Sequence, residues 1–224
     1  MFIILVSYRA RNIQTFRRDE IIKMMANIQA YFGKHGVLYK ILVVEQDNDK
    51  KFNRGVLLNA AFLEAEKLFA DIPKKYIHLN VDYEINLDRP FPDEIAHFEK
   101  GFLDLFKPPH PVMGSACVFD PESYKLCNGF PNDLWGWGGD DWALYNRCIK
   151  KKIPIQTYPH LSNSGFIIEH KFSFKNNQSS NIKNIELAKR NDLLRNGLTT
   201  CKYRKTNTGE FHDGNIVYHY LIDF

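Results

Sequence analysis

Residues 39–82 read YKILVVEQDNDKKFNRGVLLNAAFLEAEKLFADIPKKYIHLNVD. The first eight residues are an apolar run with β-branched side chains, which is typical of a buried parallel strand. Apolar side chains then recur at helical spacing, at Leu58, Phe62, Ala65 and Phe69. Residues 52–70 are therefore predicted to form an amphipathic helix, and residues 76–82 a further strand. This strand–helix–strand order favours a right-handed crossover between parallel strands.

The same pattern precedes this stretch. Residues 2–8 (FIILVSY) predict a buried strand, and apolar residues at helical spacing follow it, at Ile21, Met25, Ile28 and Phe32. Asp19 is a candidate helix cap, and Gly33 and Gly36 are candidate stops. The alternation predicts an α/β fold, with a Rossmann-like, mostly parallel central sheet flanked by helices. Residues 1–86 would form the first half of this fold.

The rest of the chain, residues 87–224, is less regular and would form the second half of the same single domain. Four elements are predicted there: a strand over 112–119, a helix over 140–151, a short helix over 184–194 and a final strand at the end of the chain. The polar stretch FKNNQSSNIKN, at 174–184, predicts a mobile loop. No internal repeat or linker divides the 224 residues, so we expect one domain.

Composition excludes several classes of protein. The net charge of +4 is dispersed rather than gathered in a basic stripe, which argues against a nucleic-acid partner. The four cysteines form no C-x-x-C pair, and we expect free thiols. The apolar run at the N-terminus is too short for a membrane segment and lacks a cleavage site. These features predict a cytoplasmic protein, or one of the Golgi lumen if the chain is a trimmed part of an anchored one; the oligomeric state is open.

Residues 128–147, NGFPNDLWGWGGDDWALYNR, contain all three tryptophans of the chain together with three aspartates. An indole covers the apolar face of a pyranose, and carboxylates bind its hydroxyl rim. The stretch therefore indicates a sugar site, although a packed aromatic turn has a similar composition. Asp140 and Asp141 lie in the first turn of a predicted helix, where a capping role is the alternative.

Polar side chains follow the predicted strands, at Arg9, Arg11, Glu45, Gln46, Asn80 and Asp82. Ligands of open α/β sheets bind at the carboxyl ends of the strands. Arginines beside a carboxylate at such an edge suit a nucleoside diphosphate and its metal ion, and ordinary surface charges are the alternative.

Several blocks together resemble one known family. They are SYRAR (7–11), VVEQDNDKKFNRGVLLNAAFLEA (43–65), NVD (80–82), NGFPNDLWGWGGDD (128–141), YNR (145–147) and NGL (196–198). In this order they resemble the β-1,4-galactosyltransferases, family 7 of the glycosyltransferases. The resemblance implies a single-domain, inverting, metal-dependent enzyme, with a nucleotide-binding half over residues 1–86 and an acceptor-binding half over residues 87–224. It would transfer galactose or N-acetylgalactosamine from a UDP-sugar to a hydroxyl of a glycan acceptor, with Mn²⁺ as its cofactor.

The resemblance also implies roles for individual residues. The donor-binding residues would be Tyr8, Arg9, Arg11, Phe52, Arg54, Asn80, Asp82, Trp137 and Asp140. The acceptor-binding residues would be Trp137, Gly138, Asp141 and Trp142. Asp141 would be the catalytic base, and Asp82 with His170 would bind the metal. In the family, the segment around Trp137 belongs to a loop that closes over the donor.

Some positions depart from the family pattern. Asn80 replaces an aspartate, and Ile167 replaces a methionine that often ligates the metal. Trp142 and Ala143 replace acidic residues of the family, one of which helps to bind N-acetylglucosamine. Val112 or Met113 stands where a tyrosine crowds the second carbon of the donor sugar, so UDP-N-acetylgalactosamine rivals UDP-galactose as donor. The departures keep open an alternative function, that of a carbohydrate-binding pseudoenzyme with the same fold.

Overall fold

The structure, a computed structural model, describes residues 1–9, 15–105, 113, 115–136, 138–157, 166–169, 178–189 and 194–224. Ten strands lie in these ranges: β1 (Phe2–Tyr8), β2 (Tyr39–Gln46), β3 (Lys75–Leu79), β4 (Tyr83–Ile85), β5 (Phe102–Asp104), β6 (Ala116–Phe119), β7 (Ile155–Thr157), β8 (Ile167–Glu169), β9 (Arg204–Thr208) and β10 (Val217–Asp223). The α-helices there are α1 (Thr15–Lys34), α2 (Arg54–Leu68), α3 (Asp93–Ala96), α4 (Pro121–Leu126), α5 (Asp140–Lys150) and α6 (Gln178–Lys189).

Eight of the strands form one sheet in the order β7-β5-β6-β3-β1-β2-β10-β9, and β4 pairs with β8 in a separate ribbon. The central strand β1 is parallel to β2 and β3, and β10 is parallel to β2. Antiparallel pairing enters where β6 joins β3 and β5, and where β9 joins β10. The predicted α/β fold with a mostly parallel sheet is confirmed, and strands from both halves of the chain build that sheet.

Alternate residues of β1 face opposite sides of the sheet, as the pleat of a strand requires. Ile3 and Leu5 pack into the core beneath α2, whereas Ile4 and Val6 pack into the core beneath α1. All four side chains are buried. Because both faces of the strand are covered, its sequence is continuously apolar rather than alternating.

The predicted apolar faces of the first two helices are buried, but some boundaries were wrong. α1 begins at Thr15, so Asp19 lies inside the helix rather than capping it, and Gly33 is also helical. Within the predicted polar loop, residues 178–184 belong to α6, and the remaining residues of that loop lie outside the described ranges. α6 packs against α5, and this tertiary contact outweighs the low helix propensity of a polar sequence.

All four cysteines are free, as expected. Among the helices that the structure describes, none combines the length and the apolar character that crossing a bilayer requires.

Candidate active site

The segment between β2 and α2 is held at the carboxyl edge of the sheet by two side chains. Arg9, directly after β1, donates to the carbonyl oxygens of Lys50 at 2.6 Å and Asn48 at 3.3 Å. Gln46 is 1% exposed; its amide nitrogen donates to three oxygens of this segment, and its Oε1 accepts from the Asn53 backbone N–H at 3.0 Å. The contacts fix the path of the chain into α2 and hence the position of Arg54.

Asn53 caps α2, since its side-chain oxygen accepts from the Val56 N–H at 3.0 Å. Its amide nitrogen donates to the Asn132 carbonyl at 2.8 Å. The cap thereby attaches the start of α2 to the segment that leads to α5. Arg54 is the first residue of α2 and points into the space between these elements, where its side chain is 12% exposed.

Arg54 is the centre of a charged cluster. Its Nε lies 2.5 Å from Asp140 Oδ2, its Nη2 pairs with Asp141 Oδ1, and its Nη1 donates to Asn80 Oδ1 at 2.9 Å. The guanidinium also lies 5.3 Å from the centre of the Phe130 ring. Although burial lowers it, the pKa of Arg54 is raised by Asp140 and Asp141. One cation therefore faces two carboxylates in a partly closed site.

Asp141 is held on both of its carboxylate oxygens. Oδ1 pairs with Arg54, and Oδ2 accepts from the Ser115 hydroxyl at 2.7 Å. Burial raises the pKa of the Asp141 carboxyl above its ordinary range; Arg54 and Ser115 oppose the rise, and the charge of Asp140 adds to it. The Asp141 side chain is 25% exposed, so a hydroxyl group of a bound molecule can reach it. A carboxylate with a raised pKa that a substrate can reach suits a general base.

A network of asparagines holds residues 128–132 against α2. Asn59 is fully buried, and its Oδ1 accepts from the Phe130 N–H at 3.0 Å and from the Tyr124 hydroxyl at 2.8 Å. Its amide nitrogen donates to the Phe130 carbonyl at 2.8 Å and to Asn132 Oδ1 at 2.9 Å. Each polar atom of the Asn59 side chain is thus satisfied by this segment.

Arg147 of α5 explains the YNR and NGL blocks. It is 2% exposed, and it donates to the carbonyls of Asn128 at 2.9 Å and Gly129 at 2.7 Å, and also to that of Asn196. Burial lowers its pKa to about 10. A Cβ on Gly197 would lie 2.1 Å from the Asn128 carbonyl oxygen, so only glycine fits. These motif residues support the site rather than line it.

The tryptophan segment contacts both α6 and the segment between β2 and α2. The Gly136 N–H donates to the Phe52 carbonyl at 2.7 Å, which joins the WGWGG and FNR blocks. Gly139, with φ of +88°, precedes α5, and a Cβ there would lie 2.8 Å from the backbone of Asn184. Trp142 packs beside Leu134, Ala143, Leu187 and Ala188. The predicted acceptor residue Trp142 therefore also packs against α6.

The metal prediction falls partly outside the described residues. Asp82 lies in the turn between β3 and β4, and Tyr83 of β4 is opposite Glu169 of β8. Ile167 is 6% exposed and packs in the core, opposite Ile85. Among the described residues there is no group of three metal-binding side chains, and His170 is not one of those residues.

Of the predicted donor residues that the structure describes, Tyr8 is the most deeply buried. It is 1% exposed and packs in the core beneath α1, with its ring 6.5 Å from that of Phe211. Its hydroxyl is buried without a hydrogen-bond partner among the described residues. Burial and the charge of Glu45 raise its pKa.

The structure brings Arg54, Asn80, Asp140 and Asp141 into contact. Phe52 lies on the adjoining segment between β2 and α2, and Arg9 donates to that segment from the end of β1. Gly138 is described and has a φ of +95°. Arg11, Trp137 and His170 lie outside the described residues. Sequence reasoning missed Phe130 beneath Arg54 and Ser115 beside Asp141. Ser115 lies within the strand predicted over 112–119, but that pattern does not indicate its contact with Asp141, which depends on the pairing of β6 with β3.

Comparison with known proteins gives two matches to family descriptions. Residues 2–84 match the N-terminal region of glycosyl transferase group 7. Residues 104–171 match a model described as the N-terminal domain of galactosyltransferase. The two segments contain Arg54 and Asp141, respectively.

Curated relatives match more than half of the chain. A β-N-acetyl-D-glucosaminide β-1,4-N-acetylglucosaminyl-transferase from Lymnaea stagnalis is 31% identical over 146 residues, which are 62% of this chain and 29% of that protein. Human β-1,4-galactosyltransferase 7 is 28% identical over 137 residues, which are 58% of this chain and 40% of that protein. The matched region therefore spans less than half of either relative.

A solved structure agrees over the whole chain. The catalytic domain of Drosophila β-1,4-galactosyltransferase 7, in complex with xylobiose, aligns with 100% of this chain and 93% of its own at a TM-score of 0.76. A mutant of the same enzyme, in complex with manganese, UDP-Gal and xylobiose, aligns with a TM-score of 0.74. Identities of 20% and 19% make this a likeness of fold.

Proposed function

Because the chain belongs to glycosyltransferase group 7, the family of the β-1,4-galactosyltransferases, we propose that it transfers galactose from UDP-galactose to a hydroxyl of a glycan acceptor, with inversion. The observation that carries this proposal is the cluster in which Arg54 binds Asp140 and Asp141 at the carboxyl edge of the sheet. A sugar-binding surface would need neither a raised carboxyl pKa nor a buried cation between two acids.

Asp141 would be the base of this reaction. The acceptor oxygen attacks the anomeric carbon of the donor, the bond from that carbon to the diphosphate breaks, and Asp141 takes the proton of the acceptor hydroxyl. UDP leaves with the electron pair of the broken bond. Attack from the face opposite the diphosphate inverts the anomeric centre. A positioned base contributes about 10²- to 10⁴-fold to such a rate.

Arg54 and Asp140 would orient the donor sugar. Arg54 carries a positive charge that holds both carboxylates in place, and Asp140 can accept hydrogen bonds from sugar hydroxyls at the rim of the site. Arg9, Arg11 and Phe52 would contact the nucleotide, since Phe52 lies on the segment that leads to Arg54 and Arg9 donates to that segment from the end of β1.

Asp82 and His170 would hold a manganese ion. They are the next residues in sequence to Tyr83 and Glu169, which face each other across the β4–β8 ribbon. A carboxylate oxygen and an imidazole nitrogen form a donor set that suits Mn²⁺. A bound metal ion would neutralise the charge that gathers on a departing diphosphate. The Drosophila enzyme was crystallised with manganese and UDP-Gal, which supports the assignment.

The residues before Ser115 bear on the identity of the donor sugar. Met113 is 2% exposed in the core, and its N–H donates to the Asp141 carbonyl at 3.4 Å. Met113 or Val112 stands where the family has a tyrosine, so N-acetylgalactosamine is the second donor to test. The snail relative, named for N-acetylglucosaminyl transfer, adds a third. For the acceptor we propose Trp137, Gly138 and Trp142 as contacts; the Drosophila enzyme binds xylobiose.

The experiment is a release assay. The protein is incubated with Mn²⁺, each of the three UDP-sugars, and acceptors that end in xylose, N-acetylglucosamine or glucuronate, and released UDP is measured. We expect release that requires both metal and acceptor and falls at least about 100-fold in Asp141→Asn. The exposed Asp71→Asn variant serves as the matched control and should behave as wild type. Release that survives Asp141→Asn would remove Asp141 from the mechanism.

A carbohydrate-binding pseudoenzyme is the second candidate, since Ile167 packs in the core where the family often has a metal ligand. It predicts sugar binding by the protein without any UDP release. Calorimetry with UDP, with and without Mn²⁺, separates the two candidates, because only the transferase needs metal-dependent binding of the nucleotide.

A further inference from the structure

Ser115 joins two parts of the site that are distant in the sequence. It directly precedes β6, the antiparallel neighbour of β3, and its carbonyl accepts from the Asn80 N–H at 3.1 Å. Its hydroxyl donates to Asp141 Oδ2 at 2.7 Å. The residue is therefore fixed by its backbone to the end of β3, while its side chain contacts the first turn of α5.

These contacts close a ring of four residues. Asn80 bonds to Ser115, Ser115 to Asp141, Asp141 to Arg54, and Arg54 back to Asn80. Resting on the function proposed above, we infer that Ser115 is a positioning residue that fixes the rotation of the Asp141 carboxylate toward the acceptor hydroxyl. Neither the sequence motifs nor the comparisons assign it a role.

The physical argument concerns the two carboxylate oxygens. A single contact from Arg54 leaves the carboxylate free to rotate about its Cβ–Cγ bond, since this terminal torsion is broad. A second donor on the other oxygen fixes the plane of the group. A base gains rate from being held in a reactive orientation. Ser115 supplies that second donor from the position directly before β6, where its carbonyl is bonded to Asn80 at the end of β3, so its support is rigid.

The hydrogen bond also acts on proton affinity. A donor to the charged form of a carboxylate favours that form and lowers its pKa. The groups that act on Asp141 electrostatically are Arg54 of α2 and Asp140 of its own helix. Cys117 of β6 is a further titratable neighbour, and burial, together with the charges of Asp104 and Asp141, raises its pKa. Loss of the Ser115 hydroxyl would leave burial and Asp140 opposed by Arg54 alone.

The test compares Ser115→Ala, which lacks the hydroxyl, with Ser115→Thr, which keeps it. Ser123→Ala is the matched control, because Ser123 is also a buried serine with a side-chain hydrogen bond, but it lies in α4. The pKa of Asp141 is measured in each protein without substrate, by NMR of aspartate labelled with ¹³C at the carboxyl carbon. The Asp141→Asn variant assigns the signal.

We expect Ser115→Ala to raise the pKa of Asp141 by about one pH unit. The acid limb of kcat should move to higher pH by the same amount, and kcat on the plateau should fall about tenfold with little change in KM for the donor. Ser115→Thr should keep the pKa of Asp141 close to the wild-type value, and kcat within about twofold of the wild-type rate. Ser123→Ala should lower stability without moving the pKa of Asp141.

An unchanged Asp141 pKa in Ser115→Ala would overturn the inference, as would a Ser115→Thr variant that behaves like Ser115→Ala. The NMR titration needs no turnover, so it decides the link between Ser115 and Asp141 even in a protein that releases no UDP. Absence of release from wild type would instead sink the proposed function. The two failures are therefore distinguishable.

Discussion

Two clusters of polar residues meet at the start of α2, and they differ in charge. Around Arg54, one guanidinium faces two carboxylates, and Asp141 is 25% exposed. Around Asn59, one turn further along the same helix, a neutral amide is fully buried and each of its polar atoms is satisfied. The neutral cluster holds the chain in place, whereas the charged cluster is open to a ligand. Arg54 and Asn59 lie within the same sequence block, so residues of one motif can have different roles.

The largest effect should follow from removing the cation. Arg54→Ala leaves Asp140 and Asp141 facing each other without compensation, and breaking such a pair costs about 3–5 kcal/mol of unfolding free energy. The loss should depend on pH. Without Arg54 the pKa of Asp141 in the folded protein rises further above its value in the unfolded chain. The free energy of unfolding therefore falls as pH rises from the unfolded-state pKa to the folded-state pKa. Urea unfolding at pH 5, 6.5 and 8 measures this.

The control for that prediction is Arg18→Ala. Arg18 also pairs with a carboxylate through two nitrogens, but it and Glu210 are half exposed, and water screens such pairs so that they contribute little to stability. A destabilisation by Arg54→Ala that is equal at all three pH values would contradict the assignment of Asp141 to a buried charge cluster.

A smaller and pH-independent effect should follow from Asn59→Ala. The substitution leaves the Phe130 N–H and the Tyr124 hydroxyl without partners in the core, which costs about 2–3 kcal/mol. No group of the Asn59 cluster titrates between pH 5 and 8, so the loss should be the same across that range. Asn207→Ala, on the exposed strand β9, should change stability by under about 0.5 kcal/mol. A loss that varies with pH would mean that the two clusters act as one.

Much of the fold could be predicted because the local pattern and the tertiary structure agree. β1 and β2 have the predicted bounds, and the apolar faces of α1 and α2 are buried. α6 is the counter-example: residues 178–184 are polar, and their helix depends on packing against α5, which a local pattern does not contain. Asn80 and Asp141 were identified by resemblance, but Ser115 was not, because its contact with Asp141 exists only once β6 pairs with β3.

The smallest effect should come from Gly139, which joins the tryptophan segment to the charged cluster. Its φ of +88° disfavours any residue with a Cβ, and a methyl group there would lie 2.8 Å from the backbone of Asn184. Gly139→Ala should therefore cost about 1–2 kcal/mol of unfolding free energy, measured by urea titration. Gly33→Ala is the opposite case, since Gly33 is helical with open space around it and should gain about 0.5–1 kcal/mol. Since Gly139 precedes Asp140 and Asp141, its replacement should also slow UDP release; a variant that loses stability but keeps the full rate would show that the charged cluster tolerates a shift of α5.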